Sequence, residues 1–182
     1  MPLGPGKIGV DRQRTGFGEM VRMLLRYKAW ANDLVFAAVR EIPTEEAYKP
    51  RPTTFGSIVQ TLDHVHVIDD IFCHHLRGER HSYIARTAGE PRSLSDLHDR
   101  VRATDQWYIG TFDGYTEDDL EAAVDFQFLG GERGSMSRGE IALHVVNHCS
   151  YHRGFVGDML KQVPYDWPAN DLTVFLRDQS RG

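Results

Sequence analysis

The chain has 182 residues, of which 41% are hydrophobic and 26% are charged, a composition that predicts one folded domain and argues against a disordered chain. Its net charge is −5, with 21 Lys and Arg residues scattered among 26 acidic ones, so no basic stripe is present to bind nucleic acid. No apolar run approaches the roughly 20 residues that span a bilayer, and residues 1–18 lack the apolar middle of a signal peptide; we therefore expect a cytoplasmic protein without a membrane partner.

The N-terminal half of the chain predicts an arm followed by two long helices. Residues 1–16 show no apolar period and are predicted to form a flexible N-terminal arm, whereas residues 17–182 are predicted to form a single domain. A second helix is predicted from a cap at Thr53 or Thr54 to about Arg77, where Gly78 ends it. The first helix, predicted at residues 17–42, has apolar residues at intervals of three and four, namely Met20, Met23, Leu24, Tyr27, Trp30, Ala31, Leu34, Val35 and Ala38. The stripe predicted for the second helix consists of Ile58, Leu62, Val65, Asp69, Phe72 and Leu76.

The C-terminal half predicts two more long helices. The third helix begins at Ser93, and the last begins at Ser137 and is closed by Pro164. Between them, a short turn starts at Thr116, and alternating apolar residues before Gly130 predict a small hairpin. Residues 168–182 are predicted to form a tail with a short helical turn. Four long amphipathic helices predict an all-α four-helix bundle, whose core is also a usual place for a metal site.

Two histidines in the last helix have the spacing of metal ligands. Within that helix, His148 and His152 lie in the middle of the apolar stripe, in one sector with Val145 and Val156. Imidazoles four residues apart in a helix can converge on one cation, with each nitrogen about 2.1 Å from it. The pair therefore predicts a metal site inside the bundle.

A third ligand must come from another helix, and the second helix offers His64 at the edge of its buried stripe. His66 differs from His64 by about 200° around that helix, so the two cannot face the same site. His144 precedes His148 by one turn and is the reserve ligand or a residue behind the ligands. The remaining histidines lie near helix ends or in a connection, where solvated histidines are common; these are His74, His75, His81 and His98.

Two other interpretations of the histidines stay open at this point. Each one can be a buried histidine with a hydrogen-bond partner, or the pair can face water at a cleft, in a bundle without any metal. A peptidase is disfavoured, because Cys149 stands where the glutamate of a His-Glu-x-x-His motif would activate water. The residues alone assign no catalytic group.

Three segments, in this order and separation, resemble the DinB/YfiT-like family. They are Tyr27-Lys-Ala-Trp-Ala-Asn32, Ser57-Ile-Val-Gln-Thr-Leu-Asp-His64 and His144-Val-Val-Asn-His-Cys-Ser-Tyr-His-Arg-Gly154, followed near the end by Asn170-Asp-Leu-Thr-Val-Phe-Leu176. The resemblance covers roughly residues 17–178. It implies a four-helix bundle, often a homodimer, with three metal-binding histidines at His64, His148 and His152. In one departure, Phe155 stands where many relatives carry glutamine.

The resemblance also implies a range of functions. Characterised members of the wider family include thiol S-transferases that use bacillithiol or mycothiol, and a related group isomerises maleylpyruvate. We therefore expect one divalent metal ion per chain, zinc or nickel first and iron as a further option, in an open site that binds a small-molecule substrate such as a low-molecular-weight thiol. The alternative is a non-catalytic stress-response protein that binds the metal or a small ligand.

The proposed metal site also has an expected pH dependence. Because coordination requires neutral imidazole, metal occupancy is expected to fall as the pH drops through about 6.5.

Overall fold

Four long helices and several shorter elements make up the fold, in a computed structural model that describes residues 16–89, 92–165 and 167–180. In chain order the elements are Phe17–Glu41 (α1), Thr44–Tyr48 (α2), Ile58–Arg77 (α3), Leu94–Asp113 (α4), Glu117–Glu121 (α5), Ala123–Gln127 (β1), Arg133–Ser137 (β2), Arg138–Leu160 (α6) and Leu172–Gln179 (α7). The predicted all-α four-helix bundle is confirmed. Apart from Gly16, which precedes α1, the predicted N-terminal arm lies outside the described residues.

The four long helices form a square. Helix α1 packs against α4 and α6, and α3 packs against the same two helices, so α1 and α3 lie on one diagonal. Helices α3 and α6, which carry the candidate histidine ligands, are therefore neighbours.

The core of the described residues has two large apolar clusters with polar side chains between them, and a third, smaller cluster where α7 packs on α1. Val35 of α1 and Leu62 of α3 belong to one cluster, whereas Leu25 of α1 and Phe72 of α3 belong to the other. The side chain of Lys28 is buried on α1 between these positions. Two further buried polar residues lie at matching positions of neighbouring helices, namely Asp69 on α3 and Asp105 on α4.

The apolar stripe predicted for α1 is correct in part, since four of its residues are buried, namely Tyr27, Ala31, Val35 and Ala38. Met20, which was assigned to the stripe, is 42% exposed, whereas Val21 and Leu25 are buried. The buried face also contains Lys28 and Asn32. Apolar periodicity treats polar residues as exposed, so it did not assign these two residues to the buried face.

The start of α3 also differs from the prediction. Ser57, and neither Thr53 nor Thr54, caps the helix, because its side chain accepts a hydrogen bond from the backbone N–H of Gln60. Residues 53–56 form a turn that closes at Gly56, whose φ of 82° is in the left-handed region that favours glycine. The short helix α2 was not predicted. Gly78 ends α3 with a φ of 68°, as expected.

The small hairpin before α6 is confirmed. Strands β1 and β2 pair antiparallel, with Ala123 opposite Ser137, and Gly131 in the connection has a φ of 91°. Phe126 of β1 packs edge-on against Phe72 of α3, with ring centroids 5.4 Å apart. The hairpin thus covers the C-terminal half of α3. Within the described ranges, no helix is long and apolar enough to cross a membrane.

Candidate functional site

The structure brings together the three histidines that the sequence singled out. The ligand atoms of His64, His148 and His152 all lie within 4.8 Å of one another. Ring centroids are 4.5 Å apart for the pair on α6, and His64 lies 5.0 Å from His148 and 4.7 Å from His152. In the part of the chain that the structure describes, no other three His, Cys, Asp or Glu residues come as close together.

A hydrogen bond to the backbone fixes the tautomer of His64. Its Nδ1–H donates to the carbonyl oxygen of Arg86 over 2.7 Å, and a carbonyl oxygen can only accept. In the neutral ring, Nε2 of His64 therefore carries a lone pair, and it lies 3.1 Å from Nε2 of His148. Two nitrogens that each lie about 2.1 Å from one tetrahedral ion are roughly 3.4 Å apart, so the observed spacing fits a shared metal ligand pair.

Burial keeps the site histidines neutral. The pKa of His148 falls to about 3, because of burial and then repulsion from His152 and His64. Burial and repulsion from His64 lower the pKa of His152 to about 4. Burial also lowers the pKa of His64. All three rings are unprotonated at neutral pH, which is the form that binds a metal ion.

The second nitrogen of each α6 histidine lacks the support that His64 has. Nδ1 of His148 and Nδ1 of His152 are buried without a hydrogen-bond partner among the described residues. Ligating histidines usually donate this second N–H to an acceptor that orients the ring. The donor set consists of neutral nitrogens and so fits zinc, nickel or iron, but only His64 has its Nδ1 hydrogen-bonded to an acceptor.

Aromatic rings form the walls of the site. The Phe55 ring stacks on His64, with centroids 3.9 Å apart and planes 16° apart, and meets His152 edge-on at 5.4 Å. The Phe155 ring lies 5.8 Å from that of His152, so the site is also apolar at this position. Phe55 lies in the turn before α3 and Arg86 acts through its backbone, so neither contribution had a sequence signal.

The other histidines are placed outside this cluster. His144 stacks on His148 at 5.7 Å between ring centroids and packs against Phe72 at 4.7 Å, so it lies behind the ligands and is not one of the three. His66 is not part of this cluster, although it is as buried as His64.

The expectation that His98 is solvated was wrong. His98 is only 1% exposed, stacks on Phe36 and donates from Nε2 to the Asp33 carboxylate over 2.7 Å. It lies in the first turns of α4, where the sequence predicted exposure to solvent. It is buried because it packs against α1. His74, His75 and His81 are half-buried around the C-terminal end of α3.

A buried ionised layer lies behind α6. The ammonium group of Lys28 contacts the carboxylates of Asp69, at 2.6 Å, and of Asp105. Asn32 donates to the second oxygen of Asp105 over 2.9 Å. The Cys149 thiol, next to His148 in the chain, donates to the side-chain carbonyl of Asn32 over 3.0 Å. These contacts connect the ionised layer to the helix that carries the histidine pair.

Comparison with known proteins gives concordant results. A model of the DinB family matches residues 14–181. Protein DinB of Bacillus subtilis (strain 168) is 26% identical over 159 residues, which cover 84% of this chain and 91% of that protein. The crystal structure of a DinB-like protein from Bacillus cereus superimposes with a TM-score of 0.61 at 14% identity, over 80% of this chain and 94% of the other. At this identity the structural match shows a shared fold.

Proposed function

Because this chain belongs to the DinB family, as its motifs indicated, we propose that it is a metal-dependent enzyme in which His64, His148 and His152 bind one divalent ion. The observation that carries this proposal is the 3.1 Å approach of the two Nε2 atoms of His64 and His148, with the Nδ1 proton of His64 already donated to a carbonyl. Zinc and nickel suit such imidazole sites, and iron is a further option.

The protein residues position the ligands and leave room for a substrate. A divalent ion held by three imidazoles supplies a Lewis acid with an open position, which favours the thiolate form of a thiol. The Arg86 carbonyl orients His64, and Phe55 excludes water from one face of that ring. The α6 backbone fixes the spacing of His148 and His152.

The reaction that we propose is the transfer of a low-molecular-weight thiol to an electrophile. The thiol loses its proton to solvent water, its sulfur forms a bond to the electrophilic carbon, and the leaving group departs into solvent with the electrons of the carbon–leaving-group bond that breaks. One feature argues against a peptidase of the His-Glu-x-x-His type: Cys149 occupies the place of its glutamate base. Its thiol is buried, and burial raises its pKa, so we do not assign it as the nucleophile.

Metal content is the first test. The protein, purified without a histidine tag, is expected to contain about one ion per chain, which a chelator removes. His148→Ala should abolish this content, whereas His144→Ala, one turn earlier on the same helix, should retain it. Equal metal content in the two variants would remove the proposed site.

Thiol consumption is the second test. Monobromobimane and a low-molecular-weight thiol are mixed with the metal-loaded protein and with the chelator-treated protein, and loss of free thiol is followed. The transferase predicts a faster loss with the loaded protein only. Stoichiometric metal combined with background rates would instead favour the non-catalytic metal- or ligand-binding protein.

We further propose that the protein is a homodimer that uses the outer face of α6. Leu143, Tyr151 and Phe155 are 38%, 63% and 38% exposed on this helix, and their positions span about 120° of its circumference. Exposed apolar side chains that share a face are typical of an interface. Light scattering is expected to give twice the chain mass, and Leu143→Asp is expected to give a monomer.

The proposed cytoplasmic location has one supporting observation. Cys73 and Cys149 are both free and buried, and reduced thiols are the usual state in a reducing compartment.

A further inference from the structure

A largely apolar groove lies beside the histidine cluster. It has a volume of about 540 Å³, which is within the usual range for small-molecule sites, about 300 to 1,000 Å³. The C-terminal half of α3 forms its floor, and the hairpin and residues 84–86 form its sides. Its apolar lining residues are Ile68, Ile71, Phe72, Ile84, Phe126, Phe128 and Leu129.

Contacts on both sides connect this groove to the histidines. Arg86 lines the groove, and its backbone carbonyl accepts the hydrogen bond from His64. Phe72 lines the groove and packs against His144, which in turn stacks on His148. Ile68 follows His64 by one turn of α3. The groove therefore runs along α3 away from the proposed metal ligands.

The exposed rim of the groove indicates the chemistry of its occupant. Ile84 is 97% exposed and Phe128 is 49% exposed, so apolar surface is left uncovered at the entrance. Arg86 is the one Lys, Arg, Asp or Glu among the described lining residues. His75 also lines the groove, but burial lowers its pKa to about 4, which leaves it neutral. An apolar wall with one positive charge is complementary to an apolar anion.

We propose that this groove binds a small organic anion with an apolar body the size of one or two aromatic rings. The apolar body lies against Phe72 and Phe128, and the anionic group faces Arg86. This proposal rests on the proposed function, because it assigns the groove to the co-substrate of the histidine site. The groove can nevertheless be tested without any metal.

Fluorescence of anilinonaphthalene sulfonate, an aromatic anion, tests the apolar wall. We expect one saturable site per chain. Phe128→Gln should weaken binding by about tenfold, since it removes a large apolar contact. Leu176→Gln is the matched control, because Leu176 is 45% exposed on α7 and outside the groove, and it should leave binding unchanged. An equal effect of the two variants would overturn the proposal.

Arg86→Gln tests the charge and retains the backbone carbonyl that His64 needs. It should weaken binding of the sulfonate probe by about tenfold and leave binding of the neutral probe N-phenylnaphthylamine unchanged. A loss of both probes to the same extent would show that Arg86 has no role in selecting an anion.

Paramagnetic broadening separates the groove from the metal site. In the Co²⁺-loaded protein, proton signals of the bound sulfonate probe should broaden relative to the Zn²⁺-loaded protein, because the groove adjoins the histidines. His148→Ala should lose Co²⁺ and keep the probe. If the wild-type protein bound the probe at the groove but bound no Co²⁺, the proposed function alone would be contradicted. Bound Co²⁺ without broadening, or without probe binding, would contradict the groove alone.

Discussion

Two buried polar regions lie next to each other in the middle of the bundle: the ionised layer of Lys28, Asp69 and Asp105, and the histidine cluster. In the ionised layer, opposite charges are in direct contact. In the cluster, neutral rings face one another, and Nε2 of His64 directs a lone pair at Nε2 of His148 over 3.1 Å. Both regions include residues of α3, and Cys149 of α6 connects them.

The difference between the two regions distinguishes a structural network from a binding site. In the ionised layer the charges are compensated within the protein, so nothing from outside is needed. His64 and His152 are also buried and His148 is half-buried, and Nε2 of His64 can accept a hydrogen bond from Nε2 of His148, but two Nδ1 atoms have no partner in the described part of the chain. Neutral imidazoles that converge in this way could hold a cation, and the proposed metal site rests on this difference from the ionised layer.

The largest expected effect is on the ionised layer. Lys28→Met leaves the Asp69 and Asp105 carboxylates buried without their cation, and we expect it to lower the free energy of unfolding by about 3 to 5 kcal/mol. Urea denaturation measures this loss. Lys49→Met is the control, because Lys49 is 57% exposed and its ion pair should contribute less than about 1 kcal/mol. Similar losses for the two variants would mean that the layer is not held by charge.

The next effect is on the histidine cluster, and it compares two neighbours on α3. His64→Ala removes a proposed ligand. Loss of a residue that only hydrogen-bonds a ligand lowers metal affinity by about 10- to 100-fold, so loss of the ligand itself should lower it by more than about 100-fold. His66→Ala should keep the metal, because His66 lies outside the cluster. It should also lower stability, since it leaves a cavity in a buried position.

Titration of both variants with zinc or nickel, with circular dichroism to follow helicity, makes this comparison. Both variants are expected to remain helical. If His66→Ala lost the metal and His64→Ala kept it, the assignment of α3 would be reversed.

Much of the bundle and the ligand group followed from local sequence patterns. Ser93, Ser137 and Gly78 mark helix ends through contacts within a few residues, so the sequence predicted them correctly. The His148 and His152 pair depends on one helical turn and was equally visible. The resemblance to the DinB/YfiT-like family, now confirmed as family membership, selected His64 more firmly than periodicity did.

The parts that escaped prediction depend on contacts distant in sequence. Lys28 of α1 is buried because it pairs with Asp69 of α3 and Asp105 of α4, which meet it only after folding. His98 is buried by Phe36 and Asp33 in the same way. The carbonyl of Arg86 could not be predicted, since every residue has one. Periodicity describes one helix at a time and gives no information about partners on other helices.

The third prediction concerns the pH dependence of metal binding. Since burial and repulsion lower the pKa of His148 to about 3 and that of His152 to about 4, protons compete with the metal at lower pH than the sequence suggested. We expect affinity to change by less than about tenfold between pH 7 and pH 5. If the ligands instead had the ordinary histidine pKa of about 6.5, metal affinity would fall about tenfold per ligand for each pH unit below that value. Competition with a chelator of known pH dependence decides between these outcomes.

The pH dependence of stability tests the ionised layer. Burial raises the pKa of Asp69 to about 6, although Lys28 acts in the opposite direction. Because this folded-state value lies above the value of about 4 for an unfolded chain, the stabilisation that Asp69 gains from its proton is present below about pH 4 and lost as the pH rises through about 6. Asp69→Asn cannot titrate, so the unfolding free energy of the wild type minus that of the variant should fall between about pH 4 and pH 7.

Asp33→Asn is the control and should give the opposite sign. Partial burial raises the pKa of Asp33, but hydrogen bonds from Arg102 and His98 outweigh burial and lower the pKa overall. The unfolding free energy of the wild type minus that of this variant should therefore rise with pH. Urea denaturation at several pH values measures both slopes, and slopes of the same sign would show that Asp69 is ionised and fully compensated by Lys28.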